Sequence, residues 1–172
     1  MNETATYAVI GAGLSGAAAA WRLAQSGAEV IVLERDVPAS ALRRSHRFGG
    51  LFRYAYHDPF YTDLVVESKR AWDELEAASG RRLITPSGAL DFGAVRDPGH
   101  LAVVLEEVGV AHELLSRDEA ASRWGQLNFD SDVLWHPGAG VMDAQATVEG
   151  VGGVGPAAGG DRGACGRVRR GH

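Results

Sequence analysis

The sequence predicts an α/β fold that opens with a parallel strand–helix–strand unit. Residues 6–10 and 29–34 are apolar and β-branched without polar alternation, which predicts two strands buried on both faces. Residues 17–25 between them are strong helix formers, and Gly27 stands where a left-handed C-cap glycine belongs. The three segments together predict a βαβ crossover at the start of a parallel sheet.

Shorter elements are predicted along the rest of the chain and give it an α+β character overall. A long helix over roughly residues 61–79 places apolar side chains at helical spacing, and Gly80 would end it. The side chains on this face are Leu64, Ala71, Trp72, Leu75 and Ala78. Residues 36–52 are predicted as a loop. The other predicted elements are two short strands within 83–92, a helix of about ten residues after Pro98, a short helix at 118–124, strands at 133–135 and 140–142, and a helix beginning at residue 144.

Composition and charge narrow the class of protein. The net charge of −5 argues against nucleic acid as the main partner. No apolar run approaches the roughly 18–20 residues that span a bilayer, and no membrane association is expected. No secretory signal is visible at the N-terminus, so a cytoplasmic location is expected. Cys165 is the one cysteine, which excludes an intrachain disulfide and fits a reducing compartment.

A glycine motif between the first predicted strand and helix points to nucleotide chemistry. Gly11 permits the tight turn, Gly13 lets the backbone approach a pyrophosphate, and Gly16 lets the helix pack closely on the strand. The N-terminus of the helix offers free N–H groups and a partial positive charge to phosphates, and Leu14 and Ser15, between the glycines that precede it, are further candidate contacts to the cofactor. Glu34 ends the second strand, where its carboxylate could accept hydrogen bonds from a ribose diol and disfavour NADP. The motif alone leaves NAD and FAD open.

Four further stretches resemble one family in order and spacing. They are His57-Asp-Pro-Phe-Tyr-Thr62, Trp72-Asp-Glu-Leu-Glu76, Pro86-Ser-Gly-Ala-Leu-Asp-Phe-Gly93 and His136-Pro-Gly-Ala-Gly-Val-Met-Asp143. From about residue 6 to 149, the chain resembles the flavin-dependent amine oxidases of the monomeric sarcosine oxidase and N-methyltryptophan oxidase type, within the D-amino acid oxidase-like superfamily. The resemblance implies FAD as cofactor and an N-methyl amino acid or related secondary amine as substrate. It also implies reoxidation of the flavin by oxygen, with release of peroxide.

The resemblance further implies individual site residues. Arg53 falls where the family binds the substrate carboxylate, a task that suits a guanidinium group. Ser45 and His46 match the flavin-side segment in kind. Apart from the resemblance, Arg35 is a candidate contact to the adenosine half of FAD, with a solvated side chain as the alternative. The family's Thr/Ser-Arg pair beside the flavin is replaced by Gly49-Gly50, which puts activation of the flavin in doubt. No catalytic residue is assigned, and no histidine shows metal-ligand spacing.

The resemblance covers less than half of a typical member, so a truncated chain is expected. The predicted organisation is an FAD-binding βαβ unit with a flavin-side loop over residues 1–56, the start of a substrate domain over 57–149, and a tail over 150–172. Two readings of function stay open beside the oxidase: an inert chain that only binds FAD, and, more distantly, an NAD-dependent dehydrogenase.

The tail differs in composition from the rest of the chain. It holds 9 of the 23 glycines and four Arg against one Asp, whereas the remainder is strongly acidic. Glycines and Pro156 follow Glu149 where a helix had begun, and each would disfavour its continuation. We interpret residues 150–172 as translated in a shifted reading frame, with a genuine flexible Gly/Arg-rich tail as the alternative.

Overall fold

The computed structural model describes residues 4–34, 50–144 and 146–148, together with the backbone of residues 168–170. The chain divides into two compact units that are interleaved in sequence. The first unit comprises Met1–Gly50, Asp73–Leu83 and Asp143–His172, and the second comprises Leu51–Trp72 and Ile84–Met142.

The first unit contains the predicted βαβ crossover. Strands β1 (Tyr7–Ile10) and β2 (Val30–Glu34) pair in parallel, and helix α1 (Leu14–Gln25) connects them. The helix begins three residues before the predicted start, because Gly13 acts as its N-cap. A further strand, β9 (Val168–Arg170), pairs in parallel with β2 and gives the order β1-β2-β9. The sequence had not predicted a strand in the tail.

The prediction that both strands are buried on both faces was wrong. Val30 and Val32 pack with Ala12 in a core on the helix side of the sheet. The alternate side chains lie on the opposite face, where Ile10 is 86% exposed and Leu33 is 41% exposed. The physical reason is that α1 covers one face of the sheet, and successive side chains of a strand point to opposite faces.

The long helix α2 spans Pro59–Ser79, so it begins two residues before the predicted start. Gly80 follows its last residue, as predicted. Gly80 has a φ of +65°, and its N–H donates to the carbonyl oxygen of Glu76. The buried face differs from the predicted one in part. Leu75 and Thr62 are buried, whereas Leu64 is exposed. A helix also leaves positions on the edge of its apolar stripe, and tertiary packing decides which of them are covered.

The second unit contains two three-stranded sheets. Their six strands are β3 (Gly50–Phe52), β4 (Ile84–Pro86), β5 (Ala89–Phe92), β6 (Glu113–Leu115), β7 (Val133–His136) and β8 (Gly140–Met142). One sheet has the order β3-β8-β4 and the other the order β5-β7-β6. The pairs β4–β8, β5–β7 and β6–β7 are antiparallel. Strand β3 lies in a stretch predicted as loop, and β6 was not predicted, because strands of three residues have little pattern to read.

Two capped helices complete the second unit. Helix α3 (Pro98–Val108) begins after Asp97, whose side chain accepts the His100 N–H, and it ends at Gly109. Helix α4 (Arg117–Arg123) begins with a capping box between Ser116 and Glu119. Buried apolar side chains from α3, β4, β7 and the segment after β3 form the main core of this unit. Among the helices that the structure describes, none is both long and apolar enough to cross a membrane.

Candidate cofactor and substrate sites

The glycine loop after β1 has the geometry that an anion cradle needs. Gly11 adopts a φ of +98°, a conformation that side chains rarely allow, and its N–H donates to the carbonyl oxygen of Leu33 at 2.8 Å. The chain thereby turns sharply from β1 into α1 while it stays attached to β2. Gly11 thus performs the turning role that the sequence predicted for it.

Gly16 is required by close packing. An ideal Cβ at this position would overlap the carbonyl oxygen of Gly11 and lie 3.1 Å from the Gly11 carbonyl carbon. It would also lie 3.4 Å from Cγ1 of Val9 in β1. The first turn of α1 therefore lies directly against the loop and the strand, as the prediction for Gly16 required.

The N-terminus of α1 is suited to an anion. Gly13 is the N-cap with an extended backbone, no side chain in the described part of the structure caps the helix, and the first turn contains no acidic residue. The first N–H groups of a helix have no partner within the helix, and here they belong to Leu14, Ser15 and Gly16. A pyrophosphate fits this donor set, because it would receive N–H bonds and the favourable end of the helix dipole.

Glu34 connects the end of β2 to the glycine loop. Its Oε2 atom accepts the backbone N–H of Ala12 at 2.6 Å, and the side chain is only 2% exposed. The sequence predicts for Glu34 only a role toward ribose, and the structure adds that this side chain supports the loop.

Arg53 lies in the second unit, in the irregular segment that follows β3. Its side chain is half-buried, and its guanidinium carbon lies 5.2 Å from the centre of the Tyr56 ring. Among the described residues, no carboxylate pairs with it. An arginine held against an aromatic face keeps its N–H groups available at the edge, which suits the binding of a planar carboxylate.

Side chains from three places hold the backbone of residues 54–57. The buried hydroxyl of Thr62 donates to the carbonyl oxygen of Tyr54 at 3.1 Å. Arg96 Nη2 donates to the carbonyl oxygen of Ala55 at 3.1 Å. His100 Nε2 lies 2.9 Å from the carbonyl oxygen of His57, and the two imidazole rings stack. We name residues 54–57 the clamped segment. The carbonyl groups of Tyr54, Ala55 and His57 in this segment are bound by side chains.

Arg96 is itself fixed by a group of ionisable side chains, of which Asp91 and His136 are buried; we name Asp91, Arg96 and His136 the Asp91 network. Oδ1 of Asp91 lies 2.7 Å from Arg96 Nε and 2.6 Å from Arg96 Nη2. Oδ2 of Asp91 lies 3.1 Å from His136 Nε2, and His136 is fully buried. Burial raises the pKa of Asp91, but the hydrogen bond from His136 and the charge of Arg96 outweigh it and leave the pKa lowered.

The geometry also assigns the proton on His136. An ionised Asp91 accepts hydrogen bonds only, so Nε2 of His136 carries the hydrogen. Nδ1 is buried and has no hydrogen-bond partner among the described residues.

Several predicted site residues lie outside the part of the chain that the structure describes. These are Arg35, Ser45 and His46, and Gly49 of the Gly49-Gly50 pair. Gly50 is described and begins β3. Within residues 4–34, 50–144 and 146–148, no three His, Cys, Asp or Glu side chains form a group that could hold a metal ion.

Sequence reasoning missed the Asp91 network and the clamp on residues 54–57. Thr62, Asp91 and His136 each lie in a stretch that carries the family resemblance, which was the available signal. What the sequence could not give is their pairing, because Asp91 and His136 are 45 positions apart.

The βαβ unit with its glycine loop defines a dinucleotide-binding α/β protein, and comparison with known proteins gives the family. The family model described as FAD dependent oxidoreductase (DAO) matches residues 6–161. The chain therefore belongs to the DAO family of FAD-dependent oxidoreductases, and the family resemblance in the sequence is confirmed.

Relatives at modest identity support the same assignment. The chain is 32% identical over 150 residues to a monomeric sarcosine oxidase of Streptomyces avermitilis, covering 83% of this chain and 38% of the relative. It is 31% identical over 123 residues to the peroxisomal sarcosine oxidase of mouse, and the match covers 70% of this chain and 32% of the mouse protein. Among solved structures, NikD, an amino acid oxidase of nikkomycin biosynthesis, has a TM-score of 0.68 at 26% identity, covering 87% of this chain and 40% of NikD. The chain thus spans 32–40% of the length of these proteins.

Proposed function

We propose that the chain binds FAD, with the pyrophosphate at the N-terminus of α1. The observation that carries the proposal is the uncapped first turn of α1, which has no acidic residue and stands behind a glycine loop in a member of an FAD-dependent family. Gly11, Gly13 and Gly16 keep this place free of side chains, and Leu14 and Ser15 supply N–H groups.

The other proposed contacts extend along the cofactor. Glu34 receives the ribose hydroxyl groups while it holds the Ala12 N–H. Its negative charge disfavours a 2′-phosphate and therefore NADP. Arg35 is proposed to contact the adenosine half, and Ser45 and His46 the flavin side.

We further propose that the site oxidises a secondary amine of the N-methyl amino acid class, with oxygen as the final acceptor and peroxide as a product. FAD, when bound, would supply the electron-accepting chemistry. Arg53 binds the substrate carboxylate with its guanidinium group, which Tyr56 supports from one side. Sarcosine oxidases among the relatives support this substrate class.

A second candidate function is FAD binding without turnover. One observation favours it. Gly50 stands in the place of a member of the expected Thr/Ser-Arg pair, so a cation that would stabilise a reduced flavin is missing from that position.

The FAD proposal is tested by replacing Gly13 with valine. A side chain at the N-cap would lie in the path of the pyrophosphate, so Gly13→Val should weaken FAD binding by about tenfold or more. The measurement is a titration of flavin fluorescence against the purified chain. Ala19→Val is the matched control, because Ala19 is exposed on the same helix. Equal FAD affinity in Gly13→Val and the parent would show that the cradle is assigned wrongly.

Turnover is tested separately by a peroxide assay with sarcosine or N-methyltryptophan. The pure chain saturated with FAD should give no more amine-dependent peroxide than a heat-inactivated control if it only binds the cofactor. Peroxide above that control, lost in Arg53→Gln, would support the oxidase and refute the inert chain.

A further inference from the structure

We propose that Arg96 is a positioning residue that fixes the substrate-binding side chain of Arg53 through the carbonyl group of Ala55. This inference rests on the proposed carboxylate role of Arg53. Arg96 itself does not contact the substrate. It acts on the backbone two residues after Arg53, and Tyr56, the next residue, supports the Arg53 guanidinium group.

The clamped segment needs such an external constraint. Residues 53–56 have neither helical nor strand structure, so no regular hydrogen-bond ladder fixes their backbone. Ala55 is fully buried, and a buried carbonyl group without a hydrogen-bond partner would destabilise the folded chain. The Arg96 guanidinium satisfies this carbonyl with a charged donor, which is stronger than a neutral one.

Arg96 can perform this role because its own position is determined. Both Nε and Nη2 contact Oδ1 of Asp91, and the remaining oxygen of Asp91 is bound by His136. The carboxylate thus has both oxygens occupied and is only 8% exposed. The path of constraint runs from buried His136 through Asp91 and Arg96 to the backbone at Ala55.

The charges also separate the two arginines by function. The charge of Arg96 is compensated by Asp91, so Arg96 offers little attraction to a second carboxylate. Arg53 is paired with no carboxylate among the described residues and lies against an aromatic ring. A substrate carboxylate would therefore be attracted to Arg53, in the orientation that the clamped segment gives it.

The test uses the full chain saturated with FAD and two measurements. The first is the NMR signal of the Arg53 Nε–H group, identified by its loss in Arg53→Lys. The second is the preference for N-methylglycine over N-methylglycinamide, which lacks the carboxylate, measured by titration calorimetry. The variants are Arg96→Gln and Arg96→Lys. Arg123→Gln is the matched control, because Arg123 forms an ion pair with Glu113 at 2.9 Å in the same unit.

We expect the Arg53 Nε–H signal of Arg96→Gln to shift toward that of a solvated arginine. We expect the preference for the acid to fall by about tenfold or more, since misplacement of a binding group by about 1 Å has large effects. Arg96→Lys should restore part of the Arg53 signal and part of the preference for the acid. Arg123→Gln should change neither the signal nor the preference. A general loss of stability would not produce this selective change.

The proposal is overturned if folded Arg96→Gln keeps the parent's Arg53 signal and acid preference, or if Arg123→Gln changes them equally. If Arg96→Gln does not fold, Arg96→Lys is judged by the same two criteria. Failure of the proposed function looks different. In that case Arg53→Gln leaves the acid preference unchanged, while the Arg53 signal still decides whether Arg96 positions it.

Discussion

Replacing Gly16 by alanine tests how closely α1 packs on the glycine loop. In an ordinary helix the change would stabilise the protein by up to about 1 kcal/mol, because alanine has the higher helix propensity. At Gly16 the new Cβ would overlap the carbonyl oxygen of Gly11 and crowd Val9, so the loop or the helix must move. A decrease in the free energy of unfolding would therefore show that α1 packs closely on the glycine loop, whereas an increase would show that it does not.

The magnitude follows from three contributions. Overpacking of a well-fitted site costs about 1–3 kcal/mol. Displacement of the loop weakens the bond from the Gly11 N–H to the Leu33 carbonyl, worth about 0.5–1.5 kcal/mol. The higher helix propensity of alanine offsets about 1 kcal/mol of this destabilisation. We expect Gly16→Ala to lower the free energy of unfolding by roughly 0.5–3.5 kcal/mol in total.

The assay is urea unfolding of the two variants Gly16→Ala and Gly99→Ala against the parent. Gly99 is also in the first turn of a helix, α3, but a Cβ there would meet only Asp97 Oδ1 at an ordinary 3.8 Å. Gly99→Ala should therefore raise stability, by roughly 0.5–1 kcal/mol. If Gly16→Ala is as stable as Gly99→Ala, α1 does not approach the loop as described, and the packing argument is wrong.

Three further outcomes are expected. Because the pKa of Asp91 is lowered in the folded chain, its stabilising contribution is complete above the unfolded pKa of about 4 and is lost as the pH falls through the folded value. The difference in free energy of unfolding between the parent and Asp91→Asn should thus be constant near neutral pH and become smaller in acid. Urea unfolding at several pH values measures it, and a difference that stays constant in acid would contradict this expectation. Glu34→Leu should lower the free energy of unfolding by about 1–3 kcal/mol, because it leaves the Ala12 N–H unpaired. Glu34→Gln keeps an acceptor and should lower it less. Equal losses of unfolding free energy in the two variants would contradict the hydrogen bond. Finally, the nucleotide sequence around codon 150, read in the alternative frame, should continue with the rest of a flavin amine oxidase, whereas an early stop there would leave the tail as genuine sequence.

Local signals in the sequence were sufficient for the glycine loop and for most of the helices. The turn at Gly11 and the close packing at Gly16 follow from steric rules that act within a few residues, so spacing alone predicted them. The end of α2 at Gly80 is local in the same sense, since a glycine reaches the left-handed conformation at little cost.

Burial was harder to predict, because it depends on which elements cover a surface. The composition of β1 and β2 is that of strands with two covered faces, yet Ile10 is largely exposed in the structure. In α2, the apolar spacing placed Leu64 in the buried face, whereas Thr62 is the side chain that is fully buried. Thr62 is there because its hydroxyl binds the Tyr54 carbonyl, and hydropathy contains no such information.

The clamped segment gives a physical reason for the family-like stretches outside the glycine motif. Thr62, Asp91 and His136 come from three separate stretches, and each acts on residues 54–57 directly or through Arg96. Each bond taken alone is modest, because a hydrogen bond in a protein contributes about 0.5–1.5 kcal/mol net. Acting on successive carbonyl groups, they restrict one short irregular segment, and restricting a binding group in advance lowers the entropy lost when a ligand binds. The stretches that resemble amine oxidases therefore include residues that hold the backbone next to Arg53, and our proposal that Arg53 binds a carboxylate requires such rigidity.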